Sequence, residues 1–277
     1  MNHSILIRTD PEVFVKDKNG VFFSGHDLIP GTKRSPYRVP KGAIQVDGVA
    51  LEFNTDPAST KEEFCENIST VMGEMERIYK EVRPDLEIAI EPTATFDPDY
   101  FFKLPKEALL LGCEPDFSAY TGKPNKKPKT TEPFRTGSGH IHIGFGKFSS
   151  RSDEHMDTCC RLVRQLDSVL FLSSLLWDDD QKRRELYGKI GAFRPKSYGL
   201  EYRPMSNRYL SRRLIQEFVF EAAVYSTNDF LDGVIYEEDS SVFEMISNID
   251  MGYTPNEKEI RDHLRCMNDT FGTPLFL

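Results

Sequence analysis

Residues 135–146 read RTGSGHIHIGFG, and the alternation within them decides how the chain folds. Successive side chains of a strand point to opposite faces, so His140, His142 and Gly144 share one face while Ile141, Ile143 and Phe145 share the other. The isoleucine face belongs to a core. The other face presents two imidazoles side by side, and these need polar partners if the strand is buried.

Working outward, three further stretches carry polar residues two apart with apolar neighbours: Asp10 and Glu12 in TDPEVFV, Glu52 and Asn54 in VALEFN, Glu201 and Arg203 in GLEYRP. By the same period each pair shares a face. Half-buried strands that repeatedly turn carboxylates, imidazoles and a guanidinium to one side incur a large desolvation cost, unless those groups meet one another, a metal or a charged ligand. One polar concavity on a sheet is expected. Hard oxygen ligands with one or two histidines favour Mg²⁺ or Mn²⁺ over Zn²⁺.

The remaining chain supplies the frame. Asp10-Pro11 interrupts a first strand running roughly from Ile5 to Val15, because proline cannot donate to a ladder. Lys18-Asn19-Gly20 and Asp47-Gly48 signal two hairpins, which makes Asp47 a turn residue first and a ligand second. The loop between them, HDLIPGTKRSPYRVPKG at 26–42, reads equally as a connector and as a cover for a site. A helix is signalled from Ser59, with Phe64, Ile68, Val71, Met75 and Ile78 on one face and Arg83-Pro84 as its stop. A long helix is expected from Ser152 to Trp177, and a final pair at about Arg208–Ser226 and Pro255–Asn268. KPNKKPKT at 123–130 is a basic loop, either a solvated linker or a flap over an anionic substrate. Arg183, Arg184, Arg194 and Arg203 crowd the approach to the last strand, and guanidinium groups bind carboxylates and phosphates in a planar, two-pronged fashion.

Composition narrows the function classes. A chain of 277 residues has ample length for a substantial core and suits one large domain, 1–277, or two small ones. Its net charge of −9 argues against general nucleic-acid binding, which needs a basic face. Five cysteines without a CxxC spacing indicate neither a zinc knuckle nor a disulfide framework, and so a reducing compartment. With no signal peptide and no apolar run of membrane length, a cytoplasmic protein is expected, in the host cell's cytoplasm if phage-encoded. No GxxxxGK[ST], GxGxxG or GxSxG motif occurs, which sets aside P-loop, dinucleotide and serine-elbow chemistry.

TDPEVFV, GSGHIHIGFG and GLEYRP resemble, in the same order, the acid-proline-acid strand, the glycine-rich histidine strand and the late Glu-x-Arg strand of glutamine synthetases. More closely, DPEVFV, QVDGVALEFN, LGCEPDF, RTGSGHIHIG and LYGKIGAFRPKSYGLEYR together resemble the phage-type carboxylate–amine ligases (COOH-NH2 ligase type 2) of that superfamily, over roughly residues 8–210. The resemblance implies an α+β fold: a curved antiparallel sheet with helices on its outer face, binding ATP and two Mg²⁺ or Mn²⁺ ions on the concave face. It implies Asp10, Glu12, Glu52, His140 and Glu201 as metal ligands, with Glu52 matching less closely than the others. Arg203, Arg194 and Arg135 are expected as catalytic arginines at the transferred phosphate or the substrate carboxylate, and His142, Arg184 and Lys189 as nucleotide-binding residues.

The expected reaction is ATP-dependent amide formation between a carboxylate and an amine through an acyl phosphate, on a peptide, protein or small metabolite. The partners are then a substrate bearing a carboxylate and an amine, with no membrane and with the subunit arrangement open. Phosphotransfer to a guanidino or carboxyl group on the same scaffold stands as an alternative, and so does a non-catalytic module that binds a nucleotide or anion.

Overall fold

The computed structural model describes residues 3–109, 116–126, 132–149, 152–236, 239–250 and 252–271. Part of LGCEPDF and the end of the basic loop after Lys126 lie outside the described residues.

The chain opens with β1 (Leu6–Thr9) and β2 (Glu12–Lys16), separated at Asp10-Pro11 as the proline requires, and then β3 (Phe22–Phe23) and β4 (Tyr37–Val39). β5 (Gly42–Asp47) and β6 (Ala50–Thr55) form the second hairpin and lead into α1 (Lys61–Val82), β7 (Glu87–Ala89) and β8 (Thr93–Thr95). After the short α2 (Pro98–Phe101) and α3 (Lys106–Leu109) come β9 (Phe117–Ser118), β10 (Phe134–Thr136) and β11 (Ile141–Gly144). Helix α4 (Asp153–Leu166) continues through a π-helical turn (Asp167–Phe171) into α5 (Leu172–Ser174). The short helix α6 (Gln181–Leu186) precedes β12 (Ala192–Lys196) and β13 (Gly199–Tyr202), and α7 (Arg213–Leu231), α8 (Ser240–Asp250) and α9 (Glu257–Phe271) finish the chain.

Two antiparallel ladders, β1-β11-β13-β12-β9 and β3-β2-β6-β5-β4 with β7 also on β2, carry the architecture. They join where the chain crosses from β1 to β2. Asp10 N donates to His140 O and Glu12 N to Ser138 O on one side, while Phe53 N donates to Pro11 O on the other. The result is a curved antiparallel sheet, as the sequence leads one to expect. β8 and β10 form a separate two-stranded ribbon.

Helices cover the outer face. Thr60 caps α1 by accepting from Glu63 N at 3.2 Å, and the helix buries Phe64, Ile68, Val71, Met75 and Tyr79 against β5 and β6. Helices α4 and α7 pack on the other ladder and on each other. The long helix expected from Ser152 to Trp177 widens at Asp167, a buried acid that accepts hydrogen bonds from Tyr202 at 2.6 Å and Tyr120 at 3.0 Å. The expected helices do not include α8, whose apolar residues follow directly on a run of acids and serines at 237–241. No helix among the described residues is long and apolar enough to cross a membrane.

Candidate active site

Register places the polar residues of the inner face side by side. His142 stands opposite Arg8 on one side and Glu201 on the other, and Glu201 stands opposite Arg194. On the second ladder Glu12 stands opposite Glu52, which stands opposite Gln45. The pairs read from separate strands therefore meet across ladders.

They line one small cavity of about 50 Å³, bounded by Asp10, Glu12, Glu52, His140, Arg194, Glu201 and Arg203, all of them expected, together with Lys33, Asp47 and Tyr187. That volume admits ions and a little water but no nucleotide. Two groups have the spacing of cation ligands: Asp10 and Glu201 of this cavity with His142 beside it form one, and Glu12, Asp47 and Glu52 within it the other, with ligand atoms within 4.8 Å of one another in each.

The first group is neutralised from within. His142 Nε2 lies 3.0 Å from Asp10 Oδ2, and His140 Nδ1 lies 3.4 Å from Asp10 Oδ1 and 3.5 Å from Glu201 Oε1. Burial pushes the Asp10 carboxyl up, but the two imidazoles, His142 foremost, outweigh it and hold Asp10 well below the usual carboxylate range. Burial and the adjacent Arg203 charge press His140 well below its ordinary value, so its ring is neutral and able to ligate. Glu201, 1% exposed, takes Arg203, Arg194 at 3.3 Å and Lys196 at 2.6 Å. Arg203 is as deeply buried, held by Glu201, by Asp116 at 3.2 Å and beneath the Tyr187 ring.

The second group is short of positive charge. Burial and the Asp47 carboxylate push Glu12 up to about 8, and burial followed by Asp10 and Glu12 raises Glu52 well above its ordinary value. Lys33 meets Asp47 at 2.6 Å, one cation against three acids. Glu52 Oε2 and His140 Nε2 are buried without a hydrogen-bond partner. Orphaned ligand atoms, hard oxygens and raised carboxyl values fit divalent cations of the Mg²⁺ or Mn²⁺ type.

A pH dependence follows. In cation-free protein the folded Glu12 keeps its proton up to about pH 8, whereas the unfolded chain releases it near its ordinary 4.5. Folding therefore takes up a proton, and stability falls as pH rises through that window. The melting temperature should drop between about pH 5 and about pH 8, saturating Mg²⁺ should remove most of the drop, and calorimetry in buffers of different ionisation enthalpy should show proton release on cation binding.

Not every expected residue arrives here. Arg135 lies on the β8–β10 ribbon, where its guanidinium donates to the carbonyls of Phe134, Leu109 and Glu132 and covers the Phe101 ring, so it is not at the cavity. Arg183 is fully buried against the carbonyls of Gly137, Pro204 and Met205, serving the backbone and no ligand. Arg184, on α6, and Lys189, on the α6–β12 loop that also carries Tyr187, line a different cavity of about 510 Å³ with Phe171, Leu175, Ile190 and Tyr253. His142 does double duty: besides Asp10 it holds Tyr198 at 2.5 Å, and it borders a cleft of about 230 Å³ with Leu6, Arg8, Pro57, Gly144 and Tyr198. Lys33, Tyr187, Asp116 and Lys196 were not anticipated. Asp47, expected first as a turn residue, has ligand spacing with Glu12 and Glu52 and pairs with Lys33.

Two acid-rich clusters and two guanidinium groups thus meet on the inner face of a curved antiparallel sheet, an arrangement able to bring anions and cations together. Residues 129–241, about two fifths of the chain, match the family model described as phage phiEco32-like COOH.NH2 ligase-type 2. That match overlaps the stretch that carries the family resemblance and bears it out there; it takes in His140, His142, Glu201 and Arg203 but not Asp10, Glu12 or Glu52. A solved structure titled "GmaS/ADP complex-Conformation 1" is similar at 9% identity and a TM-score of 0.41, over 99% of this chain and 71% of that one. No curated protein matches the chain.

Proposed function

We propose that this protein is an ATP-dependent ligase that joins a carboxylate to an amine by way of an acyl phosphate. The observation that carries the reading is the pair of cation-ligand clusters directly beneath Arg194 and Arg203. A carboxylate is a poor electrophile, and activating it brings one anion against another, the triphosphate, so the site must neutralise charge before anything else.

The residues divide that work. Asp10, His140, His142 and Glu201 would hold one divalent cation and Glu12, Asp47 and Glu52 a second; such ions, when bound, would supply the positive charge that offsets the phosphates. Arg203 and Arg194 face the same cavity and present guanidinium donors to the phosphoryl group in transit. The cavity is too small for a nucleotide, so the base belongs outside it. The cleft floored by Gly144 and walled by Leu6, Pro57 and the Tyr198 ring suits a planar base, with His142 at the junction toward the clusters. The larger cavity lined by Arg184 and Lys189 offers space for the organic part of a substrate, its two cations favouring an anionic one.

No serine or cysteine is among the described residues that line the small cavity, and its lysine, Lys33, is engaged as an ammonium with Asp47, which favours direct phosphoryl transfer to the bound carboxylate over an enzyme-linked intermediate. The carboxylate oxygen attacks the γ-phosphorus and ADP leaves; the amine then attacks the acyl carbon and phosphate leaves, taking that oxygen with it. Protein incubated with ATP, Mg²⁺ and a pool of host metabolites and peptides should yield condensation products lighter than their parents by one water, with ADP and phosphate formed. ¹⁸O in the substrate carboxylate should appear in the phosphate. AMP and pyrophosphate, or unlabelled phosphate beside the amide, contradict the acyl phosphate.

A further inference from the structure

We propose that Lys33 is a built-in cation for the Glu12–Asp47–Glu52 cluster, seated there until a divalent ion displaces it. This rests on the reading of that cluster as a cation site.

Three observations carry it. First, the lysine is aimed by construction. Gly31 and Thr32 are clipped to β5, with Val46 N donating to Gly31 O at 3.3 Å and Thr32 bridged to Val46, so the next residue stands over Asp47, the next residue of β5. Only glycine fits the clip: Gly31 has φ +96°, and a Cβ there would lie 2.3 Å from Ile44 O. Second, the ammonium of Lys33 reaches Asp47 Oδ2 at 2.6 Å inside the same cavity as Glu12 and Glu52, while Glu52 Oε2 remains without a hydrogen-bond partner. One positive charge against three acids leaves the cluster able to take a stronger cation. Third, the lysine side chain is 44% exposed although its partner Asp47 is 13% exposed. The four-carbon stem can therefore swing its head into water by side-chain rotation, with the backbone clip intact.

A monovalent ammonium and a divalent ion cannot share the same three carboxylates at contact distance, because like charges a few ångströms apart repel strongly outside bulk water. Loading the cluster means unseating Lys33. The lysine thus offsets the Asp47 charge when no ion is bound, and it sets the concentration at which the ion enters.

The consequence is opposite to that of removing an ordinary site residue. Lys33→Met should bind Mn²⁺ at this cluster roughly tenfold more tightly or better in calorimetric titration of the ligand-free protein, since a competing charge is gone. Glu52→Gln should bind more weakly. A second readout uses the wild-type chain alone: acetylation by acetic anhydride, followed peptide by peptide with mass spectrometry, should modify Lys33 faster once Mn²⁺ is saturating. Lys61, paired with Glu221 at 2.6 Å and 37% exposed but remote from the cavity, is the internal reference and should not change. Unaltered Mn²⁺ affinity in Lys33→Met together with unaltered Lys33 labelling overturns the proposal for Lys33 while leaving the cation site standing. If Glu52→Gln also leaves Mn²⁺ binding unchanged, the cation reading of the cluster falls with it.

Discussion

Arg203→Lys should lower turnover by about 100- to 1000-fold while leaving affinity for an ATP analogue within about threefold. The guanidinium is fixed on three sides, by Glu201, by Asp116 and by the Tyr187 ring, so its remaining donors have one direction left, into the cavity. Lysine keeps the charge but offers a single head that cannot satisfy Glu201 and Asp116 and still reach a phosphoryl oxygen. Ground-state nucleotide binding draws mainly on the cleft and the cations. Steady-state turnover and calorimetric affinity measured on one preparation check the split, and near-normal turnover would make Arg203 a structural residue.

Arg183→Ala should destabilise the protein by about 3–5 kcal/mol, the scale of losing a buried charged hydrogen-bonding hub. Its guanidinium donates to Gly137 O at 3.1 Å, Pro204 O at 2.8 Å and Met205 O at 2.5 Å. Those carbonyls flank the two strands that carry His140 and Glu201, so the one side chain ties the approach to β11 to the exit from β13. Truncation leaves the carbonyls buried and unmet. Gly188 packs directly on this guanidinium and leaves no room for a bulkier replacement. A fall in melting temperature of roughly 10 °C is expected for a domain of this size, with Mg²⁺ recovering only part of it.

Much of the site was legible because it is built on strands. Period two fixes which side chains share a face whatever the tertiary context, and it brought Asp10, Glu12, Glu52, His140, Glu201 and Arg203 to one surface. Where the period is broken, the reading failed. Arg135 is separated from the histidine strand by Gly137 and Gly139, both pressed against other backbone: a Cβ on Gly139 would lie 2.1 Å from Ser206 O. The chain changes direction there, and the faces before and after the glycines are unrelated.

Loop residues were harder still. Lys33 sits in a stretch that reads equally as a connector and as a cover for a site, and nothing local indicates that Gly31 is clipped beside Val46. Arg183 and Arg184 are adjacent on a helix of one and a half turns, so they point apart; one serves carbonyls near β11 and the other lines a separate cavity. Four arginines looked equivalent in sequence because guanidinium chemistry is the same whether the acceptor is a ligand or a buried carbonyl. The long helix runs as expected, but its widening at Asp167 was not legible: the acid's partners, Tyr120 and Tyr202, are distant in sequence and only the fold brings them to it.

The central claim is that the inner face binds the nucleotide through divalent cations held by both ladders. Calorimetric titration of a non-hydrolysable ATP analogue with Mg²⁺ into the wild type, Glu12→Gln and His140→Ala tests it most directly, since each variant removes one ligand from a different cluster neighbourhood. The account predicts folded variants with analogue affinity weakened by about tenfold or more, and no comparable difference when Mg²⁺ is withheld. Unchanged Mg²⁺-dependent affinity in both variants would contradict it.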